Sequence, residues 1–532
     1  MSELIENFSE KYSEFLRDES RVVGSADTIS FPLCEDDICR TVSELHDRAV
    51  PVTVQGARTG IAGGAVPAGG HVLNLSKMDR VTGMRYEPDA NRFFVSVQPG
   101  VLLCDLNNKI VTKDFSSEGW SKESRGALEK FKSAPRSFFA PDPTETSASI
   151  GGMVSCNASG ARSLAFGATR NHVNSLRIVF ADGRTAGLRR GDRMDEPGTI
   201  ALRCDDGSVI RVKMPDYLIP EVKNVLGYYT HRGMEPIDFF IGSDGTLGII
   251  SEIELSLVPY PAAVWGIVAF LPEQAGAVRA VRLLRDQSRI TETGTDTNHA
   301  RLSALEYFDP GSLDLLRKQK KENQAFSYIP DIPSEHACAL YIEYMGADEN
   351  EVIKRMERGA ELLSGLGCDE DSCWAACTER ELTKLKLFRH AVPEAVNLTV
   401  DQRKRTEPRL AKLGTDMAVP DDKLECILEL YESDLAEAGL ESVIFGHIGQ
   451  NHLHVNILPS SMDEFTKGRS LYMKWARQVI AWGGSPAAEH GIGKVKKEFL
   501  KMKYGDSGVA QMLGLKRQFD PQLLLNRGNW FE

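Results

Sequence analysis

No two of the ten cysteines are spaced as C-x-x-C: positions 34, 39, 104, 156, 204, 338, 368, 373, 377 and 426 are scattered, which excludes an iron–sulfur ligand run or a zinc ribbon. Cys373 and Cys377, four apart, would share one face of a helix and are expected as small core residues. Positive charge is scarce too. With 63 Lys and Arg against 75 Asp and Glu and a net charge of −12, the chain lacks the cation excess that nucleic acid or an anionic membrane calls for. No apolar run approaches the roughly eighteen residues of a bilayer span, and residues 1–20 are acidic and amphipathic, with neither a basic n-region nor an apolar h-region. The expectation is a cytoplasmic protein without signal or membrane span, peripheral membrane association being left open. What is present is the composition of a soluble globular chain, 532 residues at 42% hydrophobic and 26% charged, long enough for two or more cores.

The β-branched run Val52-Thr53-Val54 leads into Gln55-Gly56-Ala57-Arg58-Thr59-Gly60-Ile61-Ala62-Gly63-Gly64. Glycines let backbone N–H groups close on an anion and tolerate φ > 0, so this loop is read as a cradle for a cofactor pyrophosphate. Its spacing is neither the GxGxxG of a dinucleotide turn nor the GxxxxGK[ST] of a P-loop, which argues against nicotinamide folds and ATPases. A glycine loop alone is most often a turn. Here a second small-residue segment, Pro141-Asp142-Pro143-Thr144-Glu145-Thr146-Ser147-Ala148-Ser149-Ile150-Gly151-Gly152 with Asn157 and Gly160 behind it, repeats the chemistry about ninety positions later.

Together these segments resemble the FAD-binding domain of the vanillyl alcohol oxidase superfamily, in the branch of D-lactate dehydrogenases, D-2-hydroxyglutarate dehydrogenases and the FAD subunit of glycolate oxidase. Gly242-Ser243-Asp244-Gly245-Thr246-Leu247-Gly248-Ile249-Ile250, with Asp244 where the family has Glu, and two C-terminal histidine motifs extend the likeness over roughly residues 25–532. It implies an α+β protein: a PCMH-type FAD-binding fold of two subdomains (1–260), a ferredoxin-like α+β substrate or cap domain (261–475) and a C-terminal segment returning to the flavin (476–532). The FAD contacts it implies are Gln55, Gly56, Arg58, Thr59, Gly60, Ile61, Gly63 and Gly64 in the first loop and Pro141, Asp142, Thr146, Ser149, Gly151, Gly152, Asn157 and Gly160 in the second. Asp244, Gly245, Gly248 and Ile250 follow in the third, and Asn526 in a tail where Arg527 replaces the family's Pro. No His or Cys stands within Arg58-to-Gly64 to form a flavin bond, so FAD is expected to be non-covalent.

Along the chain, 33–50 reads as a helix with acidic residues in its first turn, feeding strands at 52–54, 71–75 and 93–98. The Lys-, Ser- and Glu-rich stretch 113–136 reads, against the family pattern, as an insertion: a solvated surface loop with a short helix. A strand at 176–180 enters an Asp182-Gly183 hairpin. Pro259-Tyr260-Pro261 marks the expected main domain boundary. Beyond it, strands at 264–271 and 339–344 alternate with helices at 277–285 and 351–363, as in an α+β sheet domain.

Four of the eleven histidines fall in Phe445-Gly446-His447-Ile448-Gly449-Gln450-Asn451-His452-Leu453-His454 and Ala488-Glu489-His490-Gly491. His452 and His454 alternate onto one face of a strand, and Glu489 would complete a three-ligand metal site with an open position. The resemblance selects another set, His447, His454 and Glu489, around a divalent ion of zinc type, leaving His452, an Asn in the family, as a neighbour of the site or a surface residue. Seven apart, His447 and His454 would face opposite ways on a regular strand, so a turn at Gly446 or Gly449 has to bring them together. His490, beside the small Gly491, is the candidate general base. Arg389 lies where the family has its carboxylate-binding arginine; Lys412 is a second candidate for that role. The resemblance then implies oxidation of a D-2-hydroxy acid (D-lactate, D-2-hydroxyglutarate or glycolate type) to the 2-oxo acid by hydride transfer to FAD. Electrons would pass on to a quinone, a cytochrome or an electron-transfer flavoprotein, and a homodimer is one assembly left open. Two other readings stay open: the same fold as an alcohol oxidase or a non-redox FAD enzyme, and a flavoprotein subunit without catalysis.

Overall fold

The computed structural model describes residues 4–192, 198–231, 233–289 and 299–531. Its first sheet forms around three parallel strands, Thr28–Ser30, His71–Asn74 and Val52–Gln55, in that order, with Glu6–Asn7 antiparallel at the outer edge. Parallel strands require cover on their faces. Helix Glu35–Asp47 supplies it, packing Ile38, Val42 and Leu45 with Val52, Leu73 and Leu75, while its three leading acidic residues meet the positive end of the helix dipole. A second sheet is antiparallel, ordered Val81–Glu87, Arg92–Val97, Ile249–Ser256, Val173–Val179, Thr185–Arg189. Its Asp182-Gly183 hairpin forms as the sequence suggests: Gly183 sits at φ 86°, and Phe180 N–H donates to the Arg184 carbonyl at 2.8 Å.

The stretch 113–136 forms the short helix expected of it but is packed rather than solvated. Ser121 caps a helix, Lys122–Ser133, whose Leu128 and Phe131 are buried with Phe115 and Trp120 beside strand Val81–Glu87. Trp120 Nε1–H also reaches the Val81 carbonyl at 3.1 Å. The apolar residues recur at helical spacing inside a charged sequence, so composition alone concealed a packed face.

Beyond Pro261 the chain builds an eight-stranded antiparallel sheet. Ala263–Leu271, Arg301–Phe308, Cys338–Gly346 and Trp374–Ala376 lie in the spatial order fourth, first, third, second, as in a ferredoxin-like unit. Ser442–Gly446, His452–Ile457 and Leu413–Gly414 extend it past Arg301–Phe308, and Met417–Ala418 pairs with the start of His452–Ile457. Helix Glu379–Lys404, which carries Arg389, packs on Ala263–Leu271. Cys373 precedes a strand and Cys377 is exposed, so the expected shared helical face does not form; Cys373 meets Cys368 instead, Sγ to Sγ at 3.3 Å.

The last residues run back to the first sheet. After helix Lys497–Phe519, whose path breaks at Gly505 (φ 65°), Leu525 bridges Val52 in parallel, with Val52 N–H donating to the Leu524 carbonyl at 2.9 Å and Asn526 N–H to the Val52 carbonyl at 2.7 Å. One buried ion pair also links the second glycine segment to the large sheet: Arg162 grips Glu343 through Nε and Nη2 at 2.8 and 3.1 Å. Among the described residues no helix is long and apolar enough to cross a membrane.

Candidate active site

The two glycine segments meet at Gly56 and Ser149. A Cβ on Gly56 would lie 2.1 Å from Ser149 Oγ, so no larger residue fits, and that hydroxyl accepts from Ala57 N–H and Gly152 N–H at 3.3 Å each. From Arg58 to Gly64, no backbone N–H finds an acceptor among the described residues. Such a run of free amides is a concave donor surface for an anion. Gly60, Ile61 and, in the second segment, Thr146 are exposed; Thr59 and Gly64 are half-buried. Arg58 turns its side chain away, onto Glu14 at 2.8 Å and over the Phe15 ring at 4.1 Å, leaving only its backbone, at φ 62°, to the loop.

Several other expected contacts are occupied in building this cradle. Gln55 donates to the carbonyls of Phe15 and Ala65 at 2.8 and 2.7 Å. The Asp244 carboxylate accepts from Ile492 N–H, Gly493 N–H and Trp530 Nε1–H at 3.0, 2.8 and 2.8 Å. Asn526 accepts from Val54 N–H and donates to the Asp244 carbonyl, both at 2.7 Å. Asp142 accepts from Arg162 N–H at 3.0 Å, and Asn157, at φ 51°, accepts from Arg170 N–H at 2.9 Å. Gly151, Gly160, Gly245 and Gly248 each leave no room for a Cβ, Gly63 has φ 74°, and Pro141 and Ile250 are buried.

The cradle adjoins the histidines. Lys494 N–H donates to the Ala62 carbonyl at 3.0 Å, and Ser159 Oγ–H donates to Glu489 Oε2 at 2.8 Å. Gly446, at φ 134°, and the short turn Ile448–Gln450 swing His447 back over strand His452–Ile457, the turn its seven-residue spacing demanded. His447 Nδ1 pairs with Glu306 Oε1 at 2.8 Å and His454 Nδ1 with the Thr415 carbonyl at 2.9 Å. The opposite nitrogens, His447 Nε2 and His454 Nε2, both stand 3.2 Å from Glu489 Oε1, and His490 Nε2 stands 3.5 Å from that same atom. Glu489 Oε2 is held by Lys223 and Ser159. His452 is fully buried, which removes its reading as a surface residue; its Nε2 meets Asp416 Oδ1 at 2.9 Å.

Burial opposes ionisation of Glu489 and Asp416, yet Lys223 and His447 around the first, and His490 and Lys496 around the second, hold both well below the usual carboxylate range. Arg389 makes no ion pair within 4.0 Å among the described residues, although it faces Glu306 and Asp142, which overcome burial and raise its pKa. Among the described residues its one hydrogen-bond contact is Nη2 to His390 Nε2, at 2.9 Å. Lys412 is exposed and reaches Asn397 at 3.1 Å.

Residues 26–118 and 125–188 match the FAD binding domain family, and 272–530 match the family described as FAD linked oxidases, C-terminal domain. The chain belongs to the FAD-linked oxidases. It is 26% identical to a D-lactate dehydrogenase of Anaerostipes hadrus over 97% of this chain and 92% of the relative, and 27% identical to a D-2-hydroxyglutarate dehydrogenase of Xanthomonas citri pv. viticola over 95% and 89%. Glycolate oxidase subunit GlcD of Bacillus subtilis is 26% identical over 95% and 89%. A solved alkyldihydroxyacetonephosphate synthase shares the fold with a TM-score of 0.63 at 14% identity, over 99% of this chain and 82% of that one. Within this FAD-linked oxidase, reading the sequence missed Glu306, Lys223 and Ser159. Glu306 carried a signal, a lone carboxylate inside the apolar run Ala304-Leu305-Glu306-Tyr307-Phe308, where an unpaired charge would be costly. Lys223 and Ser159 carried none, because only the fold brings them to Glu489.

Proposed function

We propose that this chain oxidises a D-2-hydroxy acid to its 2-oxo acid with non-covalent FAD as first electron acceptor and a zinc-type divalent ion held by His447, His454 and Glu489. The observation that carries the reading is the convergence of three imidazole Nε2 atoms on Glu489 Oε1 beside a loop of free amides. Nitrogen and oxygen donors fit such an ion, and the paired Glu306 and Thr415 oxygens orient its two histidines. The hydroxy-acid relatives support the substrate class. Bound FAD supplies a hydride acceptor, and a divalent ion acidifies the hydroxyl. The chain does the rest: His490 takes the hydroxyl proton at a ring nitrogen, Arg389 pairs with the carboxylate, and Glu489 and Asp416 hold the histidines in place. A quinone, cytochrome or electron-transfer flavoprotein in the cytoplasm then takes the electrons. Anaerobic addition of D-hydroxy acids to the purified yellow protein tests this directly. Bleaching of the flavin band by these acids is expected; bleaching by simple alcohols alone would favour an alcohol oxidase, and no bleaching by either a subunit without catalysis.

Acid precipitation is expected to release the flavin into the supernatant. The nearest histidine to the loop in sequence, His71, is fully buried with both ring nitrogens engaged, by Thr28 and Ser30 at 2.8 Å each, so it offers no bond to the cofactor. Colour retained in the washed pellet would contradict this.

Arg389→Ala is expected to raise KM for the hydroxy acid by about 1.5–3 kcal/mol, roughly 10- to 150-fold, with little change in kcat, because a carboxylate anchor acts on ground and transition states alike. Steady-state kinetics checks it, and an equal loss toward an alcohol substrate would remove the residue from this role.

Metal affinity should depend on pH in a set direction. Burial pulls the His447 pKa down, but Glu306, aided by Glu489, carries it up to about 9, so below that value an ion must displace a proton. Apparent affinity is therefore expected to climb about tenfold per pH unit from neutrality toward 9 and then level off, as read by competition with a chromophoric chelator. A flat profile would mean that His447 is not a ligand.

A further inference from the structure

Resting on the reading of this cluster as a metal centre, we infer that His452 is a fourth protein ligand, through Nδ1, so that the ion is gripped by three imidazoles and one carboxylate. His452 is 0% exposed, and its Nε2 stands 2.9 Å from the Asp416 carboxylate. A carboxylate accepts, so the ring proton lies on Nε2 and Nδ1 is left as a bare lone pair. That Nδ1 is buried and has no hydrogen-bond partner among the described residues, a desolvated lone pair that a bound ion would satisfy.

The other two histidines are built on the same plan. His447 and His454 each tie Nδ1 to an oxygen, Glu306 or Thr415, and aim the opposite nitrogen at Glu489. In all three rings the anchored nitrogen fixes which lone pair is free, the arrangement that orients imidazoles for a metal. One donor atom from each of His447, His452, His454 and Glu489 can be chosen so that all four lie within 4.8 Å of one another. Ligands of tetrahedral zinc stand about 3.3 Å apart, so closing the set takes side-chain shifts of about an ångström. The Nδ1 of His452 is 4.0 Å from Glu489 Oε2, the oxygen that Lys223 and Ser159 hold. His452 would therefore reach an ion from the Oε2 side of the carboxylate, His447 and His454 from the Oε1 side. With four protein ligands, a substrate hydroxyl would be a fifth donor, the coordination number catalytic zinc reaches in some transition states.

The test uses FAD-loaded protein reloaded with Zn²⁺ alone. Anomalous diffraction at the zinc edge is expected to show His452 Nδ1 within about 2.0–2.1 Å of the ion. His452→Gln keeps an amide N–H for Asp416 and removes Nδ1; it is expected to loosen zinc by about tenfold or more in a chelator competition, with FAD content unchanged. Zinc bound to His447, His454 and Glu489 with His452 Nδ1 farther away than any Zn–N bond, or unchanged affinity in the variant, would overturn the fourth ligand while leaving the metal centre intact. Zinc absent from the cluster in the wild type would overturn both. The wild-type diffraction result decides even where the variant fails to fold.

Discussion

His490→Ala is expected to lower kcat by roughly 10²- to 10⁴-fold, the range for a positioned general base, with FAD and metal content unchanged. Four histidines crowd this centre, and exposure separates their roles. The side chains of His447, His452 and His454 are 10%, 0% and 11% exposed, whereas that of His490 is 29% exposed, so His490 is the ring a substrate can touch. It stacks on His454 with centroids 5.2 Å apart, its backbone N–H is tied to Asp416 at 3.2 Å, and its ring nitrogens face Asp416 Oδ2 at 3.6 Å and Glu489 Oε1 at 3.5 Å. Burial, with help from Lys496, holds its pKa down at about 4. The ring is therefore neutral and able to accept a proton from neutrality down to that value, and the kcat profile should stay level through neutral pH and fall only toward pH 4. Loss of metal together with loss of rate would make His490 a ligand instead, and a profile breaking near 6.5 would contradict the environment described for it.

Arg162→Met is expected to cost about 3–5 kcal/mol of stability, the penalty for stranding a buried charge. Glu343 is 1% exposed in the middle of strand Cys338–Gly346. Burial would raise its pKa, and the bidentate Arg162 instead brings it down to about 2. Tyr341 and Ser303 also donate, at 3.1 and 3.0 Å, but neither carries charge. A carboxylate with a depressed pKa contributes stability that is complete above its unfolded value, about 4.3, and is lost as pH falls toward 2. The gap between wild type and variant should therefore shrink across that interval. Thermal unfolding and hydrogen exchange in the strand would register the change, and Arg162→Met with Glu343→Leu should recover much of it, since an apolar pair strands no charge. A double variant as unstable as the single one would show that the pair does more than cancel charge.

How much of this was legible in the sequence depended on whether the signal was local. The Asp182-Gly183 hairpin and the helix at 35–47 follow from residues adjacent in the chain, and both form. His447 was singled out by the family resemblance, against an odd spacing that only a turn could reconcile, and Gly446 makes such a turn at φ 134°. The short helix expected within 113–136 forms at 122–133, but its burial was missed because Leu128 and Phe131 are embedded among Lys, Ser and Glu. Cys373 and Cys377, expected as small core residues, do not share a helix: Cys377 is exposed, and Cys373 meets Cys368, five residues back. Glu343 and Lys223 lie beyond local reading in another way, each explained only by a partner more than a hundred residues distant, and Glu306, though marked by its apolar run, finds its partner 141 residues away. Asp244, expected at the flavin, also gathers the backbone of Ile492 and Gly493 and the Trp530 indole, a task invisible until the tail is in place.

That tail sets a timetable. Val54 and the Asn526 side chain that pairs with it are 472 residues apart, and at about 5–20 residues per second a ribosome takes roughly 25–95 s to travel between them. Throughout that interval strand Val52–Gln55 lacks its neighbour Leu525, Asp244 lacks its donors, and the amides of the first loop have no wall from Ile492 to Lys494. Contacts this remote in sequence are among the last to form. The cofactor pocket therefore stays incomplete until residues 525–526 have been made and can pair with strand Val52–Gln55. Until then the open edge beside Val52 is exposed to chaperones and to other copies of the chain.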